Sequence, residues 1–338
     1  MPYKTGDALD TNAFLQELVS WLSDLGWTAH MNQADGTGWR AHLSKNGMFV
    51  NLLIINGNTN PWEHALSSAM PTPAANGFLH FYAGGGYDGG VNWNAQPGGP
   101  KGNGQTYTIG YSVPLGATGV ESYAFYSDAE DNICVVFKSQ PVDAVIYSNF
   151  GWGRIEKSGE YPGGEYFFAP VSGRGMLYAI STTSISSFGA RLTAHCPCAF
   201  DGGAGGNESV QFFLRADVDS FTDKWLSSSR NTNAQNYTGK NAVSSAPGLN
   251  IPPADIASYA GTWRRTVTEA TMAVALLPLM LWAPRDAGGY SLMGAVPGIY
   301  PTDAASDTRA GAVEPGTVIQ YGEDEYVLYP NFAVKRVP

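Results

Sequence analysis

The sequence predicts a mainly β fold with a minor α component (α+β), and three observations carry that prediction. Short runs rich in Tyr, Phe, Val and Ile recur along the chain with turn residues between them, and one segment has clear helical periodicity. The 338 residues include 41 glycines and 21 prolines, so much of the chain is committed to turns and loops. Charged residues make up 14% against 43% hydrophobic, a profile that folds around a core rather than staying disordered.

The helix is predicted over residues 10–26. Phe14, Leu15, Leu18, Trp21, Leu22 and Leu25 share one face at i, i+3 and i+4 spacing, with Asp10 or Thr11 to cap the start and Gly26 to end it. Three short strands follow at 27–31, 39–43 and 48–55, separated by the turn segments ADGTG and SKNG. Residues 1–70 thus read as an N-terminal helix packed on an antiparallel meander.

Residues 71–104 are Gly/Pro-rich, with one short strand at 78–83. The rest of that segment, 84–104, reads as a long surface loop of the kind that is functional or is ordered by a partner. A central β region spans 105–220, with strands at 106–113, 121–126, 132–137, 144–152, 165–168, 176–180 and 209–215. The expected arrangement is β-sandwich-like or barrel-like sheets with long Gly-rich loops. Residues 221–253 are polar and read as an excursion or hinge, and 254–338 form a C-terminal β region completing the fold. Within it, the apolar run at 271–283 reads as a buried strand or strand pair, and strands at 317–321 and 326–329 flank a GED turn. No tandem repeat at a fixed period is present.

Charge and motif content narrow the function classes. A formal charge of −10 repels a polyphosphate backbone, so no direct nucleic-acid binding is expected. The start, MPYKTGDALD, lacks the basic and apolar runs of a secretion signal, and the run at 271–283 is too short to span a bilayer. Synthesis in the cytoplasm, without a membrane partner, is the expectation. Three cysteines make a poor disulfide framework. The HCPC cluster at His195–Cys198 has metal-like ligands but lacks the second ligand pair of a zinc site. DGGAGGN at 201–207 lacks the acids of a calcium loop and the Lys-Ser/Thr ending of a phosphate loop. Asp128, Glu130 and Asp131 crowd one turn, where adjacent acids are ordinarily just solvated. No catalytic residue, metal site or cofactor is expected.

The aromatic and glycine load points to binding instead, because exposed aromatics anchor interfaces and stack on sugars. The stretch SNFGWGRIEKSGEYPGGEYFF (148–168) reads as a strand, a turn over 153–164 exposing Arg154, Glu156, Lys157 and Glu160, and a return strand. Trp152, Arg154 and Tyr161 in it, with Tyr87 and Trp93 in the 84–104 loop, are the candidate interface residues.

Three patches carry a family resemblance. Residues 135–169 run an aromatic strand into FGWGRIEKSG and then GGEY; the C-terminal run contains VPGIY, PGTVI and YGEDEYVLYPNFAVKR; and the N-terminal helix leads to GWRAHLSKNGMFVNLLI. This pattern resembles structural proteins of tailed-bacteriophage virions and touches about a third of the chain. The resemblance implies a non-enzymatic tail, neck, collar or baseplate subunit, made in the host cytoplasm and incorporated in the virion. Its partners would be other virion proteins and copies of itself. The alternative is a carbohydrate- or receptor-binding module at a virion tip, with a host glycan as ligand.

Overall fold

A computed structural model describes residues 3–56, 77–100, 111–116, 119–128, 131–142, 144–169, 211–218, 221–227, 276, 278–285, 290–301, 315–329 and 332–336. Strand β1 (Tyr3–Ala8) precedes helix α1 (Thr11–Asp24). Strands β2 (Thr28–Asp35), β3 (Gly38–Lys45), β4 (Met48–Asn56), β5 (Gly77–Gly84) and β6 (Tyr111–Gly116) form a five-stranded sheet in that order. Strands β7 (Val120–Ser127), β8 (Ile133–Val142), β9 (Ala144–Arg154), β10 (Glu156–Lys157), β11 (Gly163–Ala169), β12 (Gln211–Val218) and β13 (Phe221–Ser227) come next. All of these except β10 join β1 in a seven-stranded sheet ordered β1-β7-β8-β9-β11-β12-β13. The C-terminal strands are β14 (Leu279–Pro284), β15 (Tyr290–Val296), β16 (Ile299–Pro301), β17 (Thr317–Tyr321), β18 (Asp324–Tyr329) and β19 (Phe332–Arg336). They build two small sheets, β10-β15-β14 and β16-β19-β18-β17. Every pairing among the described strands is antiparallel.

Local chemistry sets the first elements. The Asp10 carboxylate accepts from the Ala13 amide at 2.7 Å and starts α1, and Gly26 at φ +84° ends it. Asn46 and Gly47 both hold positive φ in the two-residue turn between β3 and β4, the backbone an Asn-Gly hairpin requires.

Packing then follows from the period of two. In the seven-stranded sheet, Tyr123, Phe125, Val135, Phe137, Phe150, Trp152, Phe167, Phe213 and Trp225 face one way, toward α1 and the inner side of the five-stranded sheet. Ala124, Tyr126, Cys134, Val136, Tyr166, Phe168, Leu214 and Leu226 face the other way, against Leu281, Met293, Val327, Tyr329 and Phe332 of the C-terminal strands. The central sheet is buried on both faces, which is why ICVVF and YFFA read as unbroken apolar runs. A hydroxyl pair ties the second interface, Tyr126 to Tyr329 at 2.7 Å.

The expected fold class holds, while several boundaries move. The N-terminal sheet does not end at residue 70, because β5 and β6 complete it through β4·β5 and β5·β6 pairing. The segment expected as an excursion from 221 opens with β13, an edge of the central sheet; residues 228–253 lie outside the described set. Strand β1 was not expected; it pairs with β7. The expected strand at 176–180 and the HCPC cluster also lie outside the described residues.

Candidate functional site

The five candidate interface residues meet different fates. Trp152 is 0% exposed, in edge contact with Trp27 at 5.9 Å and beside Phe150. The FGWG pattern is strand alternation: Phe150 and Trp152 enter the core, and Gly151 and Gly153 make room on the opposite face. A Cβ on Gly153 would stand 1.9 Å from Asn132 Oδ1, and one on Gly151 2.7 Å from the Phe168 ring. Trp152 is a core residue and offers no contact surface.

Trp93 is likewise corrected from interface to core, at 3% exposure. It sits in a 3₁₀ turn, Trp93–Ala95, laid on the outer face of the five-stranded sheet, edge-on to Tyr82 at 5.1 Å, while the Tyr82 hydroxyl donates to the Trp93 carbonyl. Buried Gln96 staples the surrounding loop: its amide donates to the Asp88 carbonyl at 3.0 Å, and its oxygen accepts from the Asp88 amide at 2.8 Å. Gly85 N–H donates to Pro97 O at 3.0 Å, and the Trp225 indole donates to Gly98 O at 2.8 Å. Over residues 84–100 the Gly-rich loop is held by these bonds within the chain.

Arg154 and Tyr161 are half-buried and engaged internally. Arg154 Nη2 donates to the Asn46 carbonyl and lies 3.5 Å from Glu165, and its amide donates to Asn132 Oδ1 at 2.6 Å. The Tyr161 hydroxyl donates to Met293 O at 2.7 Å, and Lys157 Nζ sits 4.9 Å over its ring. The turn expected over 153–164 contains β10, which pairs with β15. Among the acids at 128–131, Asp128 accepts from the Asn132 amide at 2.8 Å, and Asp131 binds Lys45 at 2.5 Å and Asn46 at 2.9 Å. Asp128 thus closes the β7–β8 turn on itself, and Asp131 braces it against the β3–β4 turn.

Tyr87 keeps partial exposure. Its ring stacks on His30 at 5.0 Å and 16°, and His30 stacks on Phe49 at 5.8 Å. Beneath it His42 and Asn51, a cross-strand pair on β3 and β4, are buried and joined at 2.5 Å, His42 Nδ1–H donating to Asn51 Oδ1. Burial, with lesser contributions from Arg40 and His30, pulls the His42 pKa down to about 4 despite the Asn51 bond. Burial alone pulls His80 down to about 3. Both are neutral imidazoles at physiological pH.

The cleft between the central and C-terminal sheets, lined by Tyr126, Asp128, Asn132, Cys134, Tyr166 and Lys335, encloses about 20 Å³. That volume holds a water, not an organic substrate. Burial raises the Cys134 thiol well above its usual range, so it is not a nucleophile at neutral pH. Among the described residues no group of three His, Cys, Asp or Glu is placed to hold a metal, and no helix is long and apolar enough to cross a membrane.

Among the described residues, two exposed strand edges are candidates for contact with another molecule. Strand β2 ends the five-stranded sheet and is exposed along most of its length, with a register shift at His30. Strand β17 ends the four-stranded C-terminal sheet; its sequence TVIQY carries no charge, Val318 is 47% and Tyr321 74% exposed, and its register with β18 is continuous. No described strand pairs with the outer edge of β17, so the backbone groups of Val318 and Gln320 there are placed to meet an incoming strand. Sequence reading missed these edges because edge status depends on which strands pair at long range. The visible signal was a short, charge-free β run between turn glycines. No protein-family model matches this chain, and no curated protein matches it in sequence.

Proposed function

We propose that this protein is a non-enzymatic structural subunit of a tailed-bacteriophage virion, in the tail, neck, collar or baseplate, that works by repeated contacts with copies of itself and with other virion proteins. The observation that carries the reading is the uncharged, exposed edge strand β17 on a layered scaffold. Repetition multiplies a modest strand-edge contact, so a ring or collar needs no large apolar patch on each subunit. Two of the resembling patches support the same reading: residues 135–169 supply the middle of the central sheet, and the C-terminal run supplies the sheet that bears β17. Gradient-purified particles examined by mass spectrometry and electron cryomicroscopy test it. The chain is expected in several symmetry-related copies; particles that lack it would sink the proposal.

A second reading, a glycan-binding module at a virion tip, rests on the half-exposed Tyr87 ring stacked against His30. A glycan array probed with wild type and Tyr87→Ala decides it: signal lost in the variant supports it, and a blank array removes it.

A further inference from the structure

The partner of β17 follows from its own geometry. Strands β17 and β18 are joined by the two-residue turn Gly322–Glu323, with Tyr321 opposite Asp324. In a two-residue hairpin the flanking pair exchanges both backbone bonds, and bonding alternates from there. Tyr321, Ile319 and Thr317 therefore bond to β18, and the N–H and C=O of Val318 and Gln320 face the edge that no described strand covers.

We propose that β17 pairs antiparallel with β17 of a second copy of this chain, about a two-fold axis through Ile319, joining two four-stranded sheets into one of eight strands. The inference rests on the assembly reading above and specifies one contact within it, a two-fold one that pairs subunits; closing a ring takes a second, heterologous contact between those pairs. In this register Val318 of each copy lies opposite Gln320 of the other, and these are the residues whose backbone groups face outward, so four bonds form with no slip. Ile319 meets its own copy and Thr317 faces Tyr321, a β-branched residue against an aromatic one.

Charge favours this occupant. The chain carries −10, yet β17 brings no charge to the contact. The acidic hairpin tip, Glu323 to Glu325, is partly balanced by Lys335 at 2.7 Å from Asp324 and Arg336 at 3.5 Å from Glu325. Antiparallel pairing centred on Ile319 sets the two tips about 25 Å apart at roughly 3.4 Å per residue, beyond the Debye length of about 8 Å. Parallel pairing would set them side by side, about 5 Å apart.

Cysteine scanning of the full chain tests the register. Across a non-hydrogen-bonded pair the Cα atoms are about 4.5 Å apart, within disulfide reach, whereas two Tyr321 positions would be more than about 10 Å apart. Under copper-phenanthroline oxidation Ile319→Cys is expected to form dimer at least about tenfold faster than Tyr321→Cys, although Tyr321 is the more exposed position. The wild-type chain, with its own three cysteines, sets the background. Independently, Gln320→Pro removes an outward N–H while Gln320→Ala keeps it, so sedimentation should show self-association weakened about tenfold in the first and retained in the second. Equal cross-linking at 319 and 321, no cross-linking at 319, or equal behaviour of the proline and alanine variants overturns the pairing. If the pairing fails while the chain still maps to particles, only this contact falls; if dimers cross-link but particles lack the chain, the virion reading falls instead.

Discussion

Lowering the pH from 7.5 to 5 is expected to remove about 4 kcal/mol of stability through two imidazoles. His42 and His80 are 2% exposed, and burial holds their folded pKa values near 4 and 3, below the unfolded value near 6.5. The unfolded chain therefore binds more protons between about pH 6.5 and 4. Stability is fully present above 6.5 and is lost as the pH falls. At pH 5 the linkage gives about 2 kcal/mol for each histidine, and near pH 5.5 the slope is close to two protons. Urea unfolding followed by tryptophan fluorescence at half-unit pH steps measures it. His80→Gln should cut the slope to about one proton whatever it does to the plateau. A wild-type slope below one proton across that window would refute the burial of these two rings under the 84–100 loop.

Four other outcomes follow from the packing. Trp152→Ala should cost about 3–5 kcal/mol in urea unfolding, because a fully buried indole leaves a cavity against Trp27 and Phe150; a loss under 1 kcal/mol would return Trp152 to the surface. Gly153→Ala should cost about 2 kcal/mol or more by driving a methyl into Asn132, which bonds the Arg154 amide at 2.6 Å. Tyr329→Phe should cost about 1–2 kcal/mol by leaving the Tyr126 hydroxyl without its partner, read as a lowered Tm. Cys134 should resist alkylation by iodoacetamide at pH 8 in the native chain and react in urea, as peptide mapping would report.

Much of the fold was legible because its signals are local. The α1 stripe, the Asn46-Gly47 hairpin and the aromatic and β-branched runs of β7, β8, β9 and β11 each carry their own period, turn chemistry or composition. Strand β1 was missed because YKTGDA is half exposed and polar; only its pairing with β7 makes it a strand. The candidate site was read less well. Glycine beside Trp152 suggested an exposed loop, yet aromatics two residues apart with glycine between them are the signature of a strand packed closely on its far face. Trp93 could not be placed from sequence, since its burial depends on a loop folding back over β5, held by Gln96. The β17 edge became visible only once strand order was known.

The central claim, assembly through an open strand edge, is tested most directly by sedimentation velocity of the full wild-type chain over a concentration series beside Gln320→Pro. Reversible self-association that rises with concentration in the wild type and is weakened about tenfold in the variant is the predicted result. A wild-type chain that stays monomeric at every concentration would contradict it.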